Sequence, residues 1–279
     1  ASTKGGGGMV RKMISLSTAL SMFLFGIVYP APVDLPSAMR NLKSITQQEE
    51  IIEESKIAFL FDGEFDYVKE RELSVSSDAE VKGKFYTGKI IYSFLNKIDI
   101  YGIFGQAQDI EGKATIEGSN YKVNLEDKFT WGTGLSAILY EWEDYGIKLF
   151  SDFKYRRISN MDVDSVTVDG TTYDRDGIIV DVKGKWEEVQ FALGIGRQFN
   201  FSLEDIEYSL IPYIGMKYSD LDFSAKTTVS GDTYELSSDS DKEIGVFLGC
   251  SIASKTASID LEARFVDETA FTARISFKL

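Results

Sequence analysis

The stretch Ser258-Ile259-Asp260-Leu261-Glu262-Ala263-Arg264-Phe265-Val266, followed closely by Phe271-Thr272-Ala273-Arg274-Ile275-Ser276-Phe277-Lys278-Leu279, alternates apolar and polar residues almost without a break. In extended chain, successive side chains point to opposite faces. Ile259, Leu261, Ala263 and Phe265 therefore share one face, with Asp260, Glu262 and Arg264 on the other. In the final segment Phe271, Ala273, Ile275, Phe277 and Leu279 oppose Thr272, Arg274, Ser276 and Lys278. Both segments predict two-faced β-strands.

The same period runs back through the chain. Ile147, Leu149, Phe153 and Tyr155 stand against Lys148, Asp152, Lys154 and Arg156, and near the start Phe59, Phe61 and Phe65 stand against Asp62, Glu64 and Asp66. Such segments predict about ten strands, near residues 56–68, 83–95, 98–108, 128–142, 146–157, 185–199, 209–222, 242–254, 257–266 and 269–279, each with roughly the 9–11 residues that a tilted strand needs to cross a bilayer. Three of the four prolines, Pro30, Pro32 and Pro36, precede the first strand, so only Pro212 could interrupt a sheet. Connections alternate between short (Asn96-Lys97, Glu143-Asp144-Tyr145, 200–208, Lys255-Thr256) and long (109–127, 158–184, 223–241). Three long ones carry one pattern, Thr-(Ile/Val)-x-Gly-x-x-Tyr, beginning at Thr115, Thr167 and Thr228. Each reads as a hairpin tip in which Gly118, Gly170 or Gly231 supplies a positive φ. Spacings of 52 and 61 residues suit a repeated strand pair, and convergent turn chemistry accounts for the pattern equally well.

The amino-terminal region reads as an export signal. Residues 1–8 look like a cloning scar or upstream read-through, and 9–31 combine Arg11-Lys12 with the apolar run Met13–Val28. Residues 32–55 carry a polar, helix-like pattern and read as a periplasmic linker or short helix, which leaves 56–279 as the barrel-forming domain. Without 1–31 the net charge moves from −14 to −17.

Composition removes most other functions. The acidic balance argues against nucleic acid, which needs a basic footprint. The single cysteine, Cys250, permits no intrachain disulfide. With no histidine in the chain, Ser-His-Asp and Cys-His sites and the commonest zinc ligand are absent, so no enzyme, catalytic residue, cofactor or metal is expected. The acidic outer segments (Asp162, Asp164, Asp169, Asp174, Asp176, Asp181, Asp239, Asp241) hold no complete calcium loop and read as solvated.

Period two does not by itself separate a membrane barrel from a soluble sandwich or lipocalin-like barrel. The export signal, the loop alternation, the even strand count and the strand running to the chain end favour lipid. Trp131-Gly132-Thr133-Gly134, Pro212-Tyr213-Ile214-Gly215-Met216-Lys217-Tyr218-Ser219-Asp220, Gly245-Val246-Phe247-Leu248-Gly249-Cys250 and Glu262–Ala270 resemble strand motifs of small bacterial outer-membrane β-barrel proteins of the opacity and porin-like type. The resemblance spans roughly 56–279. It implies an all-β, closed antiparallel transmembrane barrel with up-and-down meander order, periplasmic termini, outer-membrane lipid around it, and the barrel-insertion machinery as a partner.

On that reading the polar faces line the lumen: Asp62, Glu64, Asp66, Lys148, Asp152, Lys154, Arg156, Asp260, Glu262, Arg264, Arg274 and Lys278. They describe either a narrow charge-lined passage for small solutes or ions, or an internal salt-bridge network that fills the lumen and stiffens a structural barrel. The alternative function is a surface adhesin or ligand-binding barrel acting through the acidic outer hairpins.

Overall fold

The computed structural model describes residues 31–40, 57–72, 80–95, 97–116, 118–174, 181–204, 206–229, 232–238 and 243–279. The strands, in chain order, are β1 (Ile57–Glu72), β2 (Glu80–Phe94), β3 (Ile98–Ile116), β4 (Ser119–Leu125), β5 (Lys128–Trp142), β6 (Ile147–Met161), β7 (Val163–Val168), β8 (Thr171–Asp174), β9 (Asp181–Arg197), β10 (Phe199–Leu203), β11 (Ile206–Val229), β12 (Asp232–Ser238), β13 (Ile244–Ala253), β14 (Ala257–Phe265) and β15 (Glu268–Lys278). Ten of them, β1, β2, β3, β5, β6, β9, β11, β13, β14 and β15, form a ring in which each pairs antiparallel with the next. Pairing of β1 with β15, from Leu60↔Lys278 to Arg71↔Glu268, closes it. Closure leaves the wall no free edge, the condition for a sheet to stand in hydrocarbon. Strand count and meander order agree with the reading of the sequence.

Alternation divides the wall into two faces. Outward lie Phe59, Phe61 and Tyr67 on β1, Leu193 and Ile195 on β9, Ile214 and Met216 on β11, and Ile259, Leu261 and Phe265 on β14, all exposed. A soluble sheet would bury such residues; here they form a continuous apolar belt. Aromatic residues border it, with Tyr67, Tyr86, Phe104, Phe129 and Tyr218 towards one rim and Phe59, Phe94, Trp142, Tyr145 and Phe277 towards the other. From Phe59 to Tyr67 the belt rises ~20 Å, taking about 3.3 Å per residue and roughly 40° of tilt. The barrel is therefore built to span a membrane by strands, and no helix among the described residues is long and apolar enough to do so.

The two rims differ. At the turn end the connections are tight: Glu143–Tyr145 forms a 3-10 turn, and β10 folds back on β11 through Leu203↔Ile206. At the hairpin end the wall strands run beyond the belt, and this moves several boundaries from those expected: β3 reaches Ile116 rather than 108, and β11 reaches Val229 rather than 222. The repeated motif explains the extension. Ile116↔Ser119, Val168↔Thr171 and Val229↔Asp232 give all three copies the same two-residue hairpin register. Asp169 (φ 47°) and Gly170 (φ 84°) both adopt the left-handed region that a type I′ turn requires, and Gly118 (φ 82°) follows suit. Gly231 lies outside the described residues. Pairing of β4 with β7 joins two of these hairpins into one four-stranded sheet, β3-β4-β7-β8, above the belt.

Candidate functional site

The inward residues form a filled interior. Of the predicted lumen positions, Asp62, Glu64, Asp66, Lys148, Asp152, Lys154, Arg156, Asp260, Glu262, Arg264 and Arg274 are all buried inside the ring. Lys278 differs from these in its burial. It sits exposed at the turn-end rim, opposite Leu60 where the last strand ends, and borders a mouth cavity of about 240 Å³ with Ser37, Arg40 and the turn Ala253–Ser258.

The structure also describes Ala31 and the first part, 32–40, of the expected periplasmic linker or short helix. Over residues 31–40 the chain lies inside the lumen, with every residue buried. Residues 41–55 of that expectation, and the export signal over 9–30, lie outside the described residues. Buried chain without strand partners must find other hydrogen bonds. Two features of Ala31-Pro32-Val33-Asp34-Leu35-Pro36-Ser37-Ala38-Met39-Arg40 meet that need. Pro32 and Pro36 carry no N–H, Met39 N and Arg40 N close the plug's own turn on Pro36 O and Ser37 O, and several other groups turn to the wall. Ala31 N donates to Glu188 Oε1 (3.1 Å), Val33 N to Glu262 Oε1 (3.0 Å), Asp34 N to Asp152 Oδ2 (3.2 Å) and Ser37 N to Asp99 Oδ2 (2.5 Å). In the other direction Lys154 Nζ donates to Pro32 O, Arg274 Nη2 to Val33 O (3.3 Å) and Lys148 Nζ to Ala38 O (2.9 Å).

Side chains complete the seal. Asp34 meets Lys89 Nζ (2.6 Å), Lys154 Nζ (2.6 Å) and Arg274 Nη2 (3.0 Å). Arg40 reaches Asp260 Oδ2 (3.1 Å) and Ser276 Oγ (2.7 Å). A short 3-10 turn, Ser37–Met39, follows Pro36 and lays Met39 with Val33 and Leu35 against Phe150, Ala192, Ile211, Tyr213 and Phe247. The plug thus has an ionic side and an apolar side, each matched by the wall. The chain descends from Ala31, beside Glu188, to Arg40 at the turn-end mouth.

Towards the hairpin end, among the described residues, wall side chains fill the lumen. Arg264 binds Asp66 (2.5 Å), Glu268 (2.5 Å) and Thr272 (2.7 Å). Lys217 binds Asp267 (3.0 Å) and Glu268 (2.5 Å), and Arg156 binds Glu188 (2.9 Å) while its guanidinium lies 4.5 Å from the Phe85 ring centroid. Val266, at φ 84°, occupies a conformation rare for a β-branched residue, and this turn sends Asp267 and Glu268 together into the lumen towards Lys217.

Lys89, Asp99, Glu188, Lys217, Asp267, Glu268 and the plug's Asp34 and Arg40 were not among the predicted site residues. Parity could have found the strand members, because Lys89 falls in step with Phe85 and Thr87, and Lys217 with Tyr213 and Ser219, on inward faces that mix charge with aromatic residues. Proline-rich, aperiodic sequence gave no such signal for the plug. Among the described residues there is no cluster able to hold a metal ion.

No family model matches the chain, and no curated protein matches it. Several solved structures are similar in shape. The outer membrane protease OmpT from Escherichia coli is 8% identical with a TM-score of 0.46, covering 80% of this chain and 95% of its own. The translocator domain of the autotransporter NalP from Neisseria meningitidis is 12% identical with a TM-score of 0.39, covering 80% and 88%. OprG from Pseudomonas aeruginosa is 9% identical with a TM-score of 0.38, covering 80% and 96%. The likeness concerns the fold alone. The closed ring, the apolar belt and the aromatic rims make this chain a transmembrane β-barrel of the bacterial outer-membrane type.

Proposed function

We propose that this protein is an outer-membrane barrel held closed by its own plug, so that its resting role is structural and small solutes or ions pass only when residues 31–40 are displaced. One observation carries the reading: all ten plug residues are buried, and Asp34 is gripped by three cations from β2, β6 and β15. The turn end then faces the periplasm and the hairpins face outward. The test is single-channel conductance of the refolded barrel in a planar lipid bilayer. The chain with the plug is expected to be silent, and deletion of 31–40 combined with Arg264→Ala, which loosens the ion-paired filling of the hairpin-end half, to give steady conductance changed by Arg274→Ala. Steady conductance with the plug in place would sink the proposal.

The outer hairpins support a second reading, recognition at the cell surface. Between the extended β1, β2 and β3 and the β4–β7 sheet lies a cleft of about 660 Å³ bordered by Tyr67, Lys82, Lys84, Asp109, Glu111 and Asn124. Salt bridges Lys84–Asp109 (2.7 Å) and Lys122–Glu111 (2.6 Å) brace its rim. A silent barrel that binds whole cells or matrix through this face, and loses binding when the tips around Gly118 and Gly170 are shortened, would favour that role.

A further inference from the structure

We infer that the outer wall near the turn end carries a site for one glycerophospholipid, with an acyl chain in a groove between β6, β9 and β11 and the lipid phosphate on Arg197. The site faces the membrane rather than the lumen, so it stands whether or not the plug opens. Three observations carry it.

The first is an unbalanced charge. Along the outward face of β9, Val189, Phe191, Leu193 and Ile195 are exposed and apolar, and Arg197 ends the row. A cation on the lipid face of a barrel is destabilising unless it reaches the interface or meets an anion. The outward Arg157, near the hairpin end, has Glu187 at 3.3 Å. Arg197 forms no ion pair with any carboxylate among the described residues; its guanidinium lies 4.8 Å from the ring centroid of Phe199.

The second is shape. A groove of about 330 Å³ beside Arg197 is bordered by Ile147, Ile195, Pro212 and Ile214. Its floor is Gly196 paired with Tyr213, whose ring is buried in the lumen. Ile147 pairs with Arg197 and Ile195 with Ile214, so the groove leads from the arginine's row one step further into the apolar belt. Apart from Arg197 its lining is apolar.

The third is depth. Phe199 and Phe201 continue the line of β9 past Arg197, with Tyr208 stacked on Phe201 (5.6 Å), and extend the aromatic border of the turn end. Leaning towards Phe199, the Arg197 head reaches the level where hydrocarbon gives way to headgroups. The anion found at that level is a lipid phosphate, and a guanidinium fork matches two of its oxygens. A chain ester-linked beside that phosphate has the groove directly inward of it. Free phosphate would leave the groove empty, and a neutral lipid would leave Arg197 unpaired.

The experiment is native mass spectrometry of the full refolded barrel in maltoside micelles, titrated separately with dioleoyl phosphatidylglycerol, dioleoylglycerol and inorganic phosphate. One phosphatidylglycerol should bind per barrel, and dioleoylglycerol and inorganic phosphate at least about tenfold more weakly. Arg197→Ala should raise the phosphatidylglycerol Kd at least about tenfold, the scale of one charge-assisted contact. Ile214→Trp, which fills the groove and leaves Arg197 in place, should do the same. Both side chains are exposed, so neither change should move the urea midpoint of the barrel. Unchanged affinity in Arg197→Ala, or dioleoylglycerol binding as tightly as the phospholipid, would overturn the phosphate contact. Unchanged affinity in Ile214→Trp, or inorganic phosphate binding as tightly as the phospholipid, would overturn the groove.

Discussion

In the turn-end half of the lumen the wall's charges close on a second piece of chain, whereas in the hairpin-end half they close on one another. Lys89, Lys154 and Arg274 converge on Asp34, a residue more than twenty positions ahead of the first strand. Arg264 and Lys217 converge on Asp66, Asp267 and Glu268, all supplied by wall strands or by the turn before β15. A barrel only slightly wider than the eight-stranded kind can be filled by side chains. The lower half shows the alternative: the wall leaves an apolar pocket bounded by Phe150, Tyr213 and Phe247 and a polar one bounded by the three cations, and a segment bearing Met39 and Asp34 occupies both. One half is complete as a wall; the other is complete only with its plug.

Asp34→Ala should have the largest effect. It leaves three buried cations sharing fewer anions, and losing one partner of a buried ion pair costs about 3–5 kcal/mol. Urea unfolding of the barrel in micelles should show a lowered midpoint. An unchanged midpoint would mean the plug is not gripped through Asp34.

Arg264→Met removes the hub of the other half. We expect destabilisation of about 3 kcal/mol because Asp66 loses its cation, yet the bilayer should stay silent, since the plug still fills the turn-end half. Conductance in this variant would erase the distinction between the halves. Met39→Ala trims the plug's apolar side and should cost about 2–3 kcal/mol as a buried large-to-small change, read in the same urea titration. A loss below the error of the titration would mean that Met39 is not seated in the apolar pocket. The smallest change has the opposite sign. Val266→Gly relieves a left-handed conformation that costs roughly 1–2 kcal/mol for an L-residue, so it should stabilise the barrel slightly, by up to about 1 kcal/mol after the entropy of the added glycine. A destabilised variant would mean that the Val266 side chain is worth more than its strain.

Much of this was legible in the sequence. Clean alternation in 258–266 and 271–279 fixed the faces of β14 and β15, and eleven of twelve predicted lumen charges lie inside because a two-residue period leaves them no other side. The twelfth, Lys278, obeys the alternation but stands where the wall ends. Strand ends at the hairpin rim were read too short because the ladder continues past the membrane belt, where the sense of the alternation inverts: Val81, Phe85, Ala107 and Ile110 are buried while Lys82, Lys84, Asp109 and Lys113 lie on the more exposed face. The plug was not legible. Its residues have no period, its prolines read as a linker, and its hydrogen bonds to the wall described above all reach residues 50 or more positions away. Information of that kind appears only when the wall is closed.

The seating of Asp34 has a kinetic side. Its three cations come from β2, β6 and β15, the first and last of which meet only after β1 has paired with the end of the chain. Contacts so distant in sequence form slowly, because loop closure must precede them. Docking of residues 31–40 is therefore expected as a late phase of refolding, after the strands have registered, and a probe at Met39 should report it with a delay relative to strand formation; coincident traces would contradict it. In that sense the plug inspects the wall: a barrel with a strand out of register does not present the three cations together, and the segment has nowhere to settle.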